Sequence, residues 1–214
     1  MAISVLSTPA INALAYSGTF GSAGEYHVVF ERQDLTSVYR SVATAITLGG
    51  AAMTLLASME WQGDYVIAIW GMHVTPALAG TAFTMVRTAG TYALTDRIDV
   101  AVLGGVSTSS TSPLVAKNEY RTGSSSSTSY SHIIATEYGG MVLDRLGAIG
   151  DTGTPNSGQS YVFNSTYKAS YKGYKSGLDN GTSTIGWTWT AARACYACVS
   201  LRPLRVGGGI MGIV

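Results

Sequence analysis

Tyr65-Val-Ile-Ala-Ile-Trp-Gly-Met-His-Val74 is the stretch that decides the fold class. Taken in twos, it sets Tyr65, Ile67, Ile69, Gly71 and His73 on one side and Val66, Ala68, Trp70, Met72 and Val74 on the other, because successive strand side chains point to opposite faces. Both sides are largely apolar. A strand of this kind is central, and its second face must be covered by another sheet, a loop or another subunit. Upstream and downstream lie further short apolar runs separated by Gly or polar residues: Tyr26 to Phe30, Ala45 to Leu48, Met53 to Leu56, Ala82 to Val86 and Ile98 to Val102. The pattern resumes with Ser131 to Glu137, Gly140 to Leu143, Ser160 to Tyr171 and Thr184 to Arg202. Such spacing predicts consecutive strands and an all-β, antiparallel β-sandwich. Only Pro9 to Tyr16, with Thr8 as cap, and Thr36 to Ala45 read as helical candidates, and both are short.

Composition agrees. The 214 residues are 46% hydrophobic and only 12% charged, about half the charge of an average soluble domain. With 24 Ser, 24 Thr and 26 Gly, hydroxyls and glycines replace charge as the source of polarity, which suits sheets with many turns. The net charge of +1 supplies no field to hold a polyanion, so neither a nucleic-acid nor a polybasic membrane partner is expected. Thirteen Tyr, four Trp and four Phe argue against disorder.

The expected organisation is an extended N-terminal arm or loosely packed first strand over 1–24, a single sandwich domain over 25–204, and an apolar C-terminal tail over 205–214. The first charged residue is Glu25, so no basic region precedes the opening apolar stretch and no secretory signal is expected. Ser41 to Met59 is uncharged and nineteen residues long, yet Gly49-Gly50 breaks it, which fits a strand, a glycine turn and a second strand better than a membrane helix. Thr122 to Ser131 is low-complexity and reads as a surface loop. The sequons at Asn164 and Asn180 are then chance matches in a Ser/Thr-rich chain.

Several groupings carry chemistry on paper. Cys195-Tyr-Ala-Cys198 has redox spacing, but its setting alternates like a strand, where residues three apart face opposite ways, beyond disulfide reach. Asp151-Thr-Gly153 matches the tripeptide of aspartic proteases, which needs a twin carboxylate; no second copy exists, and Thr154 to Gly158 reads as a turn. His27, His73 and His132 have no metal-ligand spacing and are expected as packed or surface residues. Glu60 and Asp64 flank Trp61 and could serve as two glycosidase carboxylates beside a stacking ring. Tyr161, Tyr167, Tyr171 and Tyr174, interleaved with Lys168, Lys172 and Lys175, read either as a stacking platform or as a solvent-facing edge strand whose lysines block edge pairing. No catalytic, cofactor or metal residue is assigned.

Five segments together resemble the β-sandwich domains of phage virion structural proteins: Ile46-Thr-Leu-Gly49-Gly50-Ala-Ala-Met53-Thr54, Val66 to Trp70, Pro76-Ala-Leu-Ala-Gly80-Thr81, Val102-Leu-Gly-Gly105-Val106, and Gly186-Trp187-Thr-Trp189 with Ala194 to Pro203. The resemblance implies a jelly roll around one core and a non-enzymatic virion role. Its nearest type is a capsid decoration, or cement, protein on the capsid surface, bound across neighbouring subunits of the major capsid protein. A tail-fibre receptor- or carbohydrate-binding module, with Trp61, Tyr130 or Tyr174 stacking on sugars from loops, is the alternative. A glycoside hydrolase using Glu60 and Asp64 comes last. The apolar second face of the central strand and the two tails predict a homo-dimer or trimer.

Overall fold

The alternating strand around Ile67 is dry on both sides because it lies inside a stack of four antiparallel sheets. The computed structural model describes residues 1–34, 43–61, 65–88, 97–108, 113–121, 128–148, 153–163, 170–189 and 194–205. One inner sheet runs in the order β1 (Ser4–Ala13), β9 (Arg97–Gly104), β3 (Tyr26–Asp34), β7 (Tyr65–His73) and β6 (Thr54–Trp61). The other runs β10 (Leu114–Arg121), β17 (Ala194–Leu201), β12 (Met141–Ala148), β15 (Ser170–Ser176) and β14 (Ser160–Phe163). Outside the first lies β2 (Ser17–Thr19), β8 (Ala82–Thr88), β4 (Ala45–Leu48) and β5 (Ala51–Ala52); outside the second lies β11 (Ser129–Thr136), β16 (Gly181–Trp189) and β13 (Gly153–Pro155).

Four layers make three apolar interfaces where one core was expected. Ile67 and Ile69 of β7 meet Leu143, Ala197 and Val199 of the other inner sheet. On their reverse side, Ala68, Trp70 and Met72 pack on Ile46, Leu48, Phe83 and Met85 of the first outer sheet. Between the second inner and outer sheets, Val142, Leu146, Tyr196 and Cys198 meet Ile134, Ile185, Trp187 and Trp189. β17 is therefore buried at all eight positions, whereas β8 alternates between exposed and buried because one of its faces meets water.

The layers divide by sequence. Every strand from β1 to β9 lies in the first two sheets and every strand from β10 to β17 in the last two. The wiring repeats as well. In each half the first strand is an edge paired to the last, which pairs to the third; the second strand pairs to the penultimate. The single sandwich expected over 25–204 thus resolves into two similarly wired two-sheet halves, packed inner face to inner face.

Residues 1–24, expected as an extended arm or a loosely packed first strand, form β1 and β2. β1 pairs with β9, and Ile3, Tyr16 and Phe20 are buried in the cores. The helix considered for Pro9 to Tyr16 is a strand through Ala13. Pro9 falls in the bulge between Ser7 and Ala10 of an edge strand, where its missing N–H leaves the ladder intact. Of Thr36 to Ala45, residues 36–42 lie outside the described residues and Ala45 opens β4. The glycine turn expected at Gly49-Gly50 joins β4 to β5, with φ of 57° and 81°, values that favour glycine. The tail beyond Arg205 lies outside the described residues. Among the described residues no helix is long and apolar enough to cross a membrane.

Candidate functional site

β17 settles the C-x-x-C. Cys195 points into the central core and Cys198 into the core beneath the second outer sheet, so the two free thiols are divided by the sheet itself. Burial pushes Cys198 up to about 12 and Cys195 higher still, which leaves almost no thiolate near neutrality. Neither thiol is expected to react with a chromogenic disulfide reagent until denaturant is added. Stoichiometric labelling of the native chain would contradict this burial.

The three histidines are packed separately. His27 is buried; its Nδ1 lies 3.2 Å from Tyr16 Oη, its ring stands edge-on to Phe20 and Phe83, and burial lowers its pKa. His73 Nε2 donates to the Ser107 carbonyl at 2.7 Å, and burial lowers its pKa too. His132 lies parallel to Tyr130, with ring centres 6.2 Å apart. Among the described residues no group of three His, Cys, Asp or Glu side chains could hold a metal.

The acidic candidates are only partly visible. Glu60 is half-buried on β6; Asp64, Asp151 and the Trp61 side chain lie outside the described residues. Gly153 begins β13, which takes Thr154 and Pro155 out of the turn expected there; the turn is confined to Asn156–Gln159, with Gly158 at φ 81°. In the Tyr/Lys series, Tyr167 and Lys168 lie outside the described residues, and Tyr161 and Tyr171 are described by backbone alone. The edge-strand reading is corrected: β15 sits between β12 and β14, Lys172 is buried, and Tyr174 packs against the central core. Tyr130 and Tyr174 both sit on strands and not on loops.

What the sequence did not announce is a set of charges in the interior. On β12, consecutive residues face opposite interfaces. Asp144 Oδ2 accepts from Trp187 Nε1 at 2.9 Å, Tyr196 Oη at 3.0 Å and Gln159 Nε2 at 2.8 Å. Burial raises its pKa to about 6 against the pull of those donors. Arg145 enters the central interface, where its Nη1 lies 3.9 Å from Asp99 Oδ2, and Lys172 Nζ lies 2.5 Å from the same oxygen. Burial, together with neighbouring Arg145, pulls Lys172 down to about 8 despite Asp99. On the far side of the first inner sheet, Glu31 Oε2 accepts from Trp70 Nε1 at 2.9 Å. These partners offset part of the cost of burying charge, while the second carboxylate oxygens, Glu31 Oε1 and Asp144 Oδ1, are buried with no hydrogen-bond partner. The available signal was Asp144-Arg145 inside an apolar run, a pair of charges that an inner strand must place on opposite faces.

Asp144 gives a pH prediction. A native pKa raised above the unfolded value means that the native state binds the extra proton between the two. The stability from this group is complete below about pH 4 and is lost as the pH rises through about 6. Between about pH 4 and pH 7 the native chain should lose thermal stability relative to Asp144→Asn; parallel melting-temperature curves would refute it.

Two features open to the outside. A cleft of about 550 Å³ is lined by Ser107, Thr108, Glu137, Arg202, Leu204 and Arg205, with Glu137 bridged to Arg202 at 2.8 Å and Arg205 at 3.1 Å. Where the second outer sheet lies on its inner sheet, Tyr120 of β10 lies flat on Tyr130 of β11, ring centres 3.9 Å apart, and Tyr130 Oη donates to Asn118 at 2.9 Å. No protein family, curated protein or solved structure matches this chain.

Proposed function

We propose that this chain is a non-enzymatic structural protein that works by docking on other protein surfaces, and, following its sequence resemblance, that it decorates a phage capsid by binding across neighbouring shell subunits. One observation carries the reading. The described thiols and the acids Glu31, Asp99 and Asp144 are enclosed in the three interfaces, while the surface offers uncharged strand edge and isolated apolar side chains such as Leu6, Val86, Ile133 and Tyr138. Strand order supports the finer fold. With β6 and β14 set aside, the first half runs β1-β9-β3-β7 against β2-β8-β4-β5, and the second runs β10-β17-β12-β15 against β11-β16-β13. The first order is the one a jelly roll would have, and the second would match it but for the missing fourth strand of its outer sheet.

The test is location. The chain should co-purify with intact particles and map to the shell surface; recovery only at a tail tip, or only free of particles, would overturn the decoration role. With few charges involved, attachment should survive moderate salt, and release by salt would count against it. The carbohydrate-binding alternative draws support from the half-buried Tyr120–Tyr130 stack beside His132. A glycan-array signal abolished by Tyr130→Ala would favour it.

A further inference from the structure

Four sheets have eight edges, and an open edge recruits foreign strands unless it is blocked by shortness, bulges, proline or charge. Seven are blocked. β2 and β5 span three and two residues, and β13 is three residues ending in Pro155. β14 is short and bulged, and β1 has Pro9 and three irregularities. β6 has a bulge and Glu60, and its Ser58 N–H is already taken by Glu119 at 2.9 Å. β10 has a bulge and carries Lys117, Glu119 and Arg121.

Among the described residues, β11 has none of these protections. Its eight residues, Ser-Tyr-Ser-His-Ile-Ile-Ala-Thr, include no proline, lysine, arginine or carboxylate, and they pair with β16 without a register shift from Ser129↔Thr188 to Thr136↔Gly181. Its counterpart in the first half, β2, is the three-residue strand. Ile133 is 63% exposed on the outer face. The Thr128 carbonyl accepts from Trp189 N–H on the β16 side, so by strand alternation Ser131, Ile133 and Ala135 turn their peptide groups to the outer edge.

We infer that this edge pairs with β11 of a second copy, antiparallel, about a two-fold axis through Ile133. An axis perpendicular to the sheet keeps each face continuous only if paired residues have the same parity. Centring on Ile133 meets that condition: Ile133 meets Ile133, Ser131 meets Ala135, and His132 meets Ile134. The two exposed isoleucines then cover each other. No like charges meet along the strip, and Lys117 on neighbouring β10 carries its own counter-charge in Glu119 at 3.1 Å. A two-fold contact closes on itself, so the edge is used up in a dimer and does not seed a fibre. The inference is independent of the virion address proposed above.

Sedimentation equilibrium on the full chain should show a concentration-dependent dimer. Ile133→Lys, which sets two lysines opposite each other, should give the monomer with the melting temperature of the native chain at monomeric dilution, since the side chain is exposed there. Ile133→Cys should form a disulfide-linked dimer under mild oxidation, while Val86→Cys, exposed on the other outer sheet, should not; Cys195 and Cys198 are too buried to compete. Amides of Ser131, Ile133 and Ala135 should gain exchange protection only in the dimer. A wild-type monomer at every concentration overturns the inference, as does a dimer indifferent to Ile133→Lys. Protection of those amides in the monomer overturns it too, since another segment would then occupy the edge.

Discussion

Trp187→Ala should destabilise the chain by about 3–5 kcal/mol, the range for emptying a large aromatic site in a packed core. Trp187 is fully enclosed and is the largest of the buried side chains. It packs between the second outer sheet and the inner sheet beneath it. Its removal also takes one of the donors from Asp144 Oδ2, adding roughly 1 kcal/mol. Trp187→Phe separates the two effects: it keeps most of the ring volume and loses only the indole N–H, so its denaturation midpoint should fall between those of the native chain and the alanine variant. Equal midpoints for alanine and native chains would mean that the second outer sheet does not depend on this ring.

Asp99→Ala should cost a similar amount, about 3–5 kcal/mol, because breaking a buried ion pair strands the remaining charge in a dry interior. Here two cations, Lys172 and Arg145, share the lost carboxylate. Asp99 holds the Lys172 pKa up to about 8, so without it Lys172 gives up its proton at lower pH; the deficit should shrink as the pH rises toward 8 and level off above it, because a neutral amine is cheaper to bury than an ammonium. Replacing Asp99, Arg145 and Lys172 together by apolar residues of similar volume should recover most of the loss. Urea midpoints of the native chain and of the single and triple variants at about pH 5 and about pH 9 are the measurement. A deficit that grows with pH would overturn the assignment of Lys172 as the stranded charge.

The sequence announces strands more clearly than it announces layers. Period-two alternation exposed β7 as a strand dry on both faces, and the same geometry sent Cys195 and Cys198 to opposite sides of β17. It also set Trp187 and Trp189 on one face, where both pack into the same core. The second face of β7, one basis for expecting an oligomer, is covered by the chain's own outer sheet. Local pattern could not say which of several possible covers was used, because the answer rests on strands far away in the chain. The charges failed for a related reason. Lys172 in Ser-Tyr-Lys-Gly-Tyr-Lys-Ser has the pattern of a solvated edge; only the placement of β14 outside β15, and of Asp99 opposite, makes it an interior residue. Pro9 misled because a proline after Thr suits a helix start as well as an edge bulge, and pairing with β9 decides between them.

The split of the stack by sequence bears on how the chain is made. During synthesis all nine strands of the first half leave the ribosome before the second half exists, and domains tend to fold as units in that order. The nascent first half would then hold Val28, Phe30, Ile67 and Ile69 bare to water until their cover arrives. That cover is completed last, since β17 fills the gap between β10 and β12. A chain stopped short of Ala194 would therefore leave the ribosome with a sticky, half-roofed face, a natural target for chaperones and quality-control proteases.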